Sequence, residues 1–105
     1  MSEDAELLWA AIFSLGLEQK VLEWFGRIYT VDRTIVDNYE ISTCHTPEDS
    51  FETAIRLNSS DNWIVVETFD TEDLARQGHH KWVNYVNVER PTQLWSVQFD
   101  DAVEL

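Results

Sequence analysis

Two alternating stretches flank a polar turn in the segment Tyr39–Leu57, which reads YEISTCHTPEDSFETAIRL. The first stretch is Tyr39–Cys44 and the second is Phe51–Leu57, and both place β-branched or aromatic residues at every second position. The run between them, His45–Ser50, is polar and contains a proline. Period-two alternation predicts strands with one apolar face each, and the turn residues predict that the two strands form a hairpin.

A third strand is predicted just after this hairpin. The polar run Asn58–Asn62 marks a turn, and Trp63–Phe69 opens with four consecutive apolar residues. A continuous apolar run of this kind favours a strand that is covered on both faces, at least in part.

A helix follows, with Asp70 or Thr71 as its N-cap and acidic residues in its first turn. Its apolar positions recur every four residues, at Leu74, Gly78, Trp82 and Val86. Glycine inside a helix costs about 1 kcal/mol relative to alanine, so we expect Gly78 to allow close approach to the sheet. Leu74, Gly78 and Trp82 are therefore predicted to face the sheet.

The two ends of the chain give weaker patterns. Helical spacing over Glu3–Ser14 and Leu17–Tyr29 predicts two helices, or one broken helix, with the second ending near Gly26. Beyond Arg90-Pro91, which ends the long helix, Leu94–Phe99 alternates as a fourth strand. The last six residues, 100–105, are expected to fray.

These elements predict one domain over residues 1–105 of the α+β class. An antiparallel sheet of three to four strands carries one packed helix, after an N-terminal helical segment. The predicted boundaries are helical structure over 1–30, antiparallel strands over 33–69, a helix over 71–88 and a strand over 93–99.

The charge of the chain is strongly acidic, with 20 Asp and Glu against 7 Lys and Arg and a formal net charge of -13. A chain with this balance repels nucleic acid and anionic membranes and is attracted to basic surfaces. Most of the excess lies in four clusters without Lys or Arg, namely Glu3-Asp4-Glu6, Glu48-Asp49-Glu52, Asp70-Glu72-Asp73 and Asp100-Asp101-Glu104. Helix capping explains the first and third clusters, whereas the second and fourth lie in a turn and a tail, where no helix end favours acidic residues.

The strand Phe51–Ile55 and the helix positions Ala75, Gly78, His79 and Val83 resemble a group of small proteins of tailed bacteriophages and prophages. Those proteins carry a YETMVF-like strand and a later helix with an Ala-x-x-Gly-His-x-x-x-Val pattern. The resemblance covers about half of the chain, with Phe51 where tyrosine is usual and a doubled histidine. It implies a phage or prophage origin and a strand–strand–helix arrangement, and it implies no activity.

Catalytic and metal-binding patterns are weak. Cys44-His45 and His79-His80 offer zinc ligand types, but adjacent residues on a strand or helix diverge, so at most one of each pair could easily face a common point. The sequence has no P-loop, no G-x-S-x-G and no G-x-G-x-x-G. Paired carboxylates could still perform acid–base chemistry or bind magnesium. We predict a non-enzyme without a metal or other cofactor.

The cellular compartment is predicted from three sequence features, namely cysteine content, signal peptide and membrane-spanning segment. A lone Cys44 cannot form an internal disulfide, and the sequence shows neither a signal peptide nor an apolar run of the ~20 residues that span a bilayer. We expect a cytoplasmic protein of an infected or lysogenic bacterial host.

The function predicted from these observations is binding to a basic surface of a host protein, either through a generic acidic interaction surface or as a nucleic-acid mimic that inhibits a defence factor. The alternative is a structural or assembly protein of a phage particle that acts through an apolar interface, and self-association is also open. Trp9 and Trp24 lie off their helical stripes and are candidate exposed anchors. The predicted partner-binding residues are Glu48, Asp49, Glu52, Asp70, Glu72, Asp73, Asp100, Asp101, Glu104, Trp9 and Trp24.

Overall fold

A four-stranded antiparallel sheet with one helix on it forms the main body of the molecule. The computed structural model describes residues 29–57 and 60–105. Within these residues the order is β1 (Thr30–Val36), β2 (Tyr39–His45), β3 (Phe51–Leu57), β4 (Ile64–Phe69), α1 (Glu72–Glu89), β5 (Gln93–Ser96) and β6 (Asp101–Glu104). The first four strands are neighbours in chain order, and β5 and β6 form a separate two-stranded sheet. The α+β class, the antiparallel sheet and its packed helix are confirmed.

The predicted hairpin is β2 and β3, paired from Tyr39 opposite Leu57 to His45 opposite Phe51. Its turn is closed by a hydrogen bond from Thr46 N–H to the carbonyl of Ser50, and Asp49 takes a positive φ of 60°. Asp tolerates this left-handed conformation better than most residues, which suits it to the turn. The third predicted strand also forms, as β4, one residue later than its predicted start.

Strand β1 was not assigned from the sequence. It pairs with β2 through a tight turn at Asp37, whose φ is 50°. It forms one edge of the sheet, and Ile35 is exposed while Thr34 is half-buried. An edge strand that is only partly covered does not need strict alternation, so its pattern was weak.

The helix begins where the sequence predicts. The Thr71 hydroxyl accepts a hydrogen bond from Leu74 N–H, and Glu72 and Asp73 occupy the first turn. Arg90 ends the helix in a left-handed conformation with φ 47°, and its N–H donates to the carbonyl of Val86. The cap and the acidic first turn are both stabilising at a helix N-terminus.

The face of the helix that meets the sheet differs from the prediction. Leu74 is 50% exposed, and the buried residues are Ala75, Gly78, His79 and Val86. Gly78 does face the sheet closely, and Trp82 packs against the edge of the core while half-buried. The predicted stripe was therefore wrong at Leu74. The reason is that His79 is drawn inward by hydrogen bonds to the sheet.

The C-terminal residues form a hairpin instead of fraying. β5 is shorter than the predicted strand over Leu94–Phe99, and β6 pairs with it from Asp101 opposite Ser96 to Glu104 opposite Gln93. Leu94 and Val103 pack on the core, and Val97 N–H donates to the carbonyl of Val65 in β4. Burial of these apolar side chains and the added hydrogen bonds hold the end of the chain in place.

The predicted N-terminal helices, the acidic cluster Glu3-Asp4-Glu6 and the tryptophans at positions 9 and 24 lie outside the described residues. In the part of the chain that is described, no helix combines the length and the apolar character needed to cross a membrane.

Candidate functional site

A buried hydrogen-bond chain joins the helix to the sheet at His79. The Thr43 hydroxyl lies 2.7 Å from Nδ1 and the Thr34 hydroxyl lies 2.9 Å from Nε2. Thr43 also contacts Thr53 on the neighbouring strand, with 2.6 Å between the hydroxyl oxygens. A hydroxyl can both donate and accept, so this chain satisfies either neutral tautomer of the histidine.

Burial lowers the pKa of His79 below its ordinary value of 6.5. The Asp32 carboxylate, 3.8 Å from Nε2, acts in the opposite direction and favours the charged imidazolium. A charge on neighbouring His80 lowers the pKa further. Because the ring is fully buried and both of its nitrogens have hydroxyl partners, the arrangement fastens α1 to the sheet and does not present a base to solvent.

The pairs Cys44-His45 and His79-His80, which suggested zinc, make separate contacts in the structure. Cys44 contacts Ser42 and Thr30, whereas His45 stacks on Tyr29 and contacts Asp49. His79 is engaged with threonines. Over residues 29–57 and 60–105, no three His, Cys, Asp or Glu side chains come together as metal ligands do.

Two of the acidic clusters meet at one end of the sheet. The β2–β3 turn and the start of α1 lie at this end because Phe51 is paired with Phe69. Tyr29 links them, since its ring stacks on His45 at 5.0 Å and its hydroxyl donates to Glu72 Oε1 at 2.6 Å. His45 in turn contacts Asp49, with 2.8 Å between Nε2 and Oδ1.

These contacts shift the pKa values of Glu72 and Tyr29 in opposite directions. The hydrogen bond from Tyr29, and next the guanidinium of Arg76, hold the pKa of Glu72 below its ordinary value of 4.5. The same hydrogen bond to Glu72, aided by burial, raises the pKa of Tyr29 above 10.0. Glu72 is therefore a stable carboxylate anchor for this end of the molecule.

The predicted partner-binding residues fall into three groups. Glu48, Asp49, Asp70, Asp73, Asp100, Asp101 and Glu104 are exposed. Glu72 is half-buried and already holds Tyr29 and Arg76. Glu52 is fully buried in β3, so its inclusion in an exposed acidic cluster was wrong: its strand position points it to the interior and not to the turn.

The basic side chains of the described part are already neutralised by carboxylates. All five Lys and Arg side chains there form ion pairs: Arg33 and Arg56 with Glu40, Arg76 with Glu72, Lys81 with Glu67, and Arg90 with Asp37. Asp70, Asp73, Asp100, Asp101 and Glu104 take part in none of these pairs. The surface therefore presents carboxylates in excess, with few unpaired cations to offset them.

An exposed apolar patch on the C-terminal hairpin was missed from the sequence. Trp95 is 56% exposed, Val97 43% and Phe99 55%, at every second position along the chain. Their alternation predicted a strand, but alternation alone does not say which face is buried. Trp63, by contrast, is buried as expected for its strand.

An open cleft of about 660 Å³ lies between β4 and the first half of α1. Phe69, Leu74 and Gly78 give it an apolar part, and Glu67 and Lys81 form an ion pair on its rim. Asp70 also lines the cleft and is in none of these ion pairs, so the lining carries one carboxylate beyond the Glu67–Lys81 pair.

No protein-family model, curated protein or solved structure matches this chain.

Proposed function

We propose that this chain is a non-catalytic acidic protein that binds a basic surface of another protein. The observation that carries the proposal is the meeting of the β2–β3 turn with the helix start, where Glu48, Asp49, Asp70 and Asp73 are exposed at one end of the sheet. Arg76, the nearby cation, is held by Glu72 at 3.1 Å. Carboxylates grouped in this way attract Lys and Arg of a partner and speed association.

The finer form of the proposal is occlusion of a groove that normally holds nucleic acid. Duplex DNA presents one negative charge per ~1.7 Å of helix axis, and a folded acidic surface can approximate such a density. The resemblance to small phage proteins supports a host nucleic-acid-binding protein that acts in defence as the partner. The binding would then take place in the cytoplasm of an infected or lysogenic bacterium.

The test is a pair of double charge reversals with the same change in net charge. Glu48→Lys with Asp70→Lys alters the acidic end, and Asp61→Lys with Glu89→Lys alters exposed positions away from it. Each variant and the parent are used to capture partners from a bacterial lysate at low and high salt, with identification by mass spectrometry. Affinity for the captured protein is then measured.

We expect the first reversal to abolish capture and the second to retain it. Binding by the parent should weaken steeply as salt is raised, because exposed charges are screened. If a folded Glu48→Lys/Asp70→Lys variant binds the captured protein as tightly as the parent, the charge-led proposal is wrong.

A second candidate function is supported by the exposed patch of Trp95, Val97 and Phe99. This patch suits a structural or assembly protein of a phage particle that binds through an apolar interface. Such binding would respond little to salt and would survive both charge reversals, so the same experiment separates the two candidates.

A further inference from the structure

The β5–β6 hairpin and its turn expose both aromatic and acidic side chains. Leu94 and Ser96 point inward and are buried, and Val103 packs on the core. One hydrogen bond, from Val97 N–H to the Val65 carbonyl, joins the hairpin to β4, and another, from Leu105 N–H to the Thr92 carbonyl, closes the open end of the hairpin itself. The hairpin is therefore packed on the core with Trp95 on its outward side.

The hairpin and its turn expose three large apolar side chains that lie close together in the chain. Trp95, Val97 and Phe99 are all about half exposed within five consecutive residues. The residue opposite Trp95 is Ala102, whose methyl group is too small to cover an indole ring. Single exposed apolar residues are ordinary, but three within five residues of the chain, two of them aromatic, point to an interaction surface.

The negative charge of the same hairpin indicates which kind of partner could bind the patch. Residues 93–105 contain Asp100, Asp101 and Glu104 and no Lys, Arg or His. A second copy of the chain would bring like charges together, and nucleic acid or an anionic membrane would be repelled. A basic protein surface with an apolar recess is complementary in both respects.

We infer that the β5–β6 hairpin is the anchoring surface of this protein, with Trp95 and Phe99 inserting into an apolar recess that is rimmed by Lys or Arg on the partner. This inference rests on the proposed function and adds the apolar contact to it. Glu104 lies opposite Gln93, on the same face as Trp95, whereas Asp101 lies opposite the buried Ser96 on the other face. The carboxylates of Glu104 and of Asp100 in the turn pair with the basic rim, and the rings supply the buried area that limits dissociation.

The test uses two synthetic peptides with the same number of lysines. One alternates lysine with leucine so that it forms an apolar face, and the other has serine in place of every leucine. Affinity for each peptide is measured at low and at high ionic strength with the parent, with a Trp95→Ser/Phe99→Ser variant, and with a Leu74→Ser/Val88→Ser control. The control removes two apolar residues that are equally exposed, on α1.

We expect the parent and the control to bind the lysine–leucine peptide at least about tenfold more tightly than the lysine–serine peptide. The Trp95→Ser/Phe99→Ser variant should bind both peptides with the lower affinity. Phe99→Ser alone should lose part of the preference, and it serves as the readout if the double variant does not fold.

Other outcomes overturn the inference. If the parent binds both peptides equally, and more weakly at high salt, the hairpin inference fails while the charge-led function stands; if neither peptide binds, both fail. A dimer in sedimentation that Trp95→Ser abolishes would show that a second copy covers the patch. Binding to anionic phospholipid vesicles that depends on Trp95 would assign the patch to a membrane.

Discussion

The ring of Phe69 lies in the space that a Cβ atom on Gly78 would occupy. Such an atom would stand 2.1 Å from Cζ and 2.4 Å from Cε1 of Phe69. Glycine is therefore required here by the approach of the helix to the end of β4, and not by backbone conformation. The contact also defines one side of the cleft between β4 and α1.

Gly78→Ala should destabilise the protein by about 1–2 kcal/mol, because overpacking against Phe69 exceeds the gain in helix propensity of about 1 kcal/mol. Chemical denaturation measures the change. Phe69→Leu in the same chain removes the ring atoms that clash and should recover part of the loss. An increase in the free energy of unfolding for Gly78→Ala alone would contradict the close contact.

The stability of the fold should decrease below about pH 6.5, because His79 is buried and its pKa is below 6.5 in the folded state. Between the pKa of His79 in the folded state and its higher value in the unfolded chain, the unfolded chain binds the proton and the folded chain does not. Stability from this group is therefore complete above the unfolded pKa and is lost as the pH falls toward the folded pKa. Denaturation curves between about pH 7.5 and pH 5.5 measure the slope.

Two variants test whether His79 is the source of this pH dependence, one at His79 itself and one at the neighbouring His80. His79→Leu should reduce the slope of unfolding free energy against pH, even though it lowers stability overall by leaving Thr34 and Thr43 without their partner. His80→Gln, at an exposed position, should retain most of the slope and lose only the part that comes from the His80 charge, which helps to lower the pKa of His79. Equal slopes in the parent and His79→Leu would rule out His79 as the source.

Thr43→Val should lower the free energy of unfolding by about 1–3 kcal/mol. The substitution keeps the shape of the side chain but removes the hydroxyl that contacts both His79 Nδ1 and the Thr53 hydroxyl in a buried site. Thr34→Val removes one contact, to His79 Nε2, at a half-buried position. Its cost should be smaller. The free energies of unfolding in denaturant give the comparison, and the reverse order would place the main anchor of the helix elsewhere.

Tyr29→Phe should raise the pKa of Glu72, because the Tyr29 hydroxyl is the largest influence that holds it below 4.5. The carboxyl chemical shift of Glu72, followed by NMR against pH, measures the change. Arg76→Gln should also raise this pKa, through loss of its hydrogen bond and charge. Val88→Ser, near the other end of α1, is the control and should leave it unchanged.

Local signals in the sequence determined β2, β3, β4 and the helix with both of its ends. Alternation over seven residues, the Thr71 cap with its acidic first turn, and the stop at Arg90-Pro91 each act over a few neighbouring residues. Their structural effect is decided by backbone geometry and nearby hydrogen bonds, so it can be predicted from the sequence.

Tertiary structure alone decided which faces are buried and which acids reach the surface. His79 turns inward and Leu74 outward because Thr43, 36 residues earlier in the chain, offers a hydroxyl to the imidazole. Glu52 belongs to an acidic cluster in the sequence, yet its strand position buries it while Glu48 stays exposed. Trp95 is exposed because the hairpin buries Leu94 and Ser96 on its other face. Each outcome depends on contacts between residues far apart in the chain, and such contacts leave no periodic signal in the sequence.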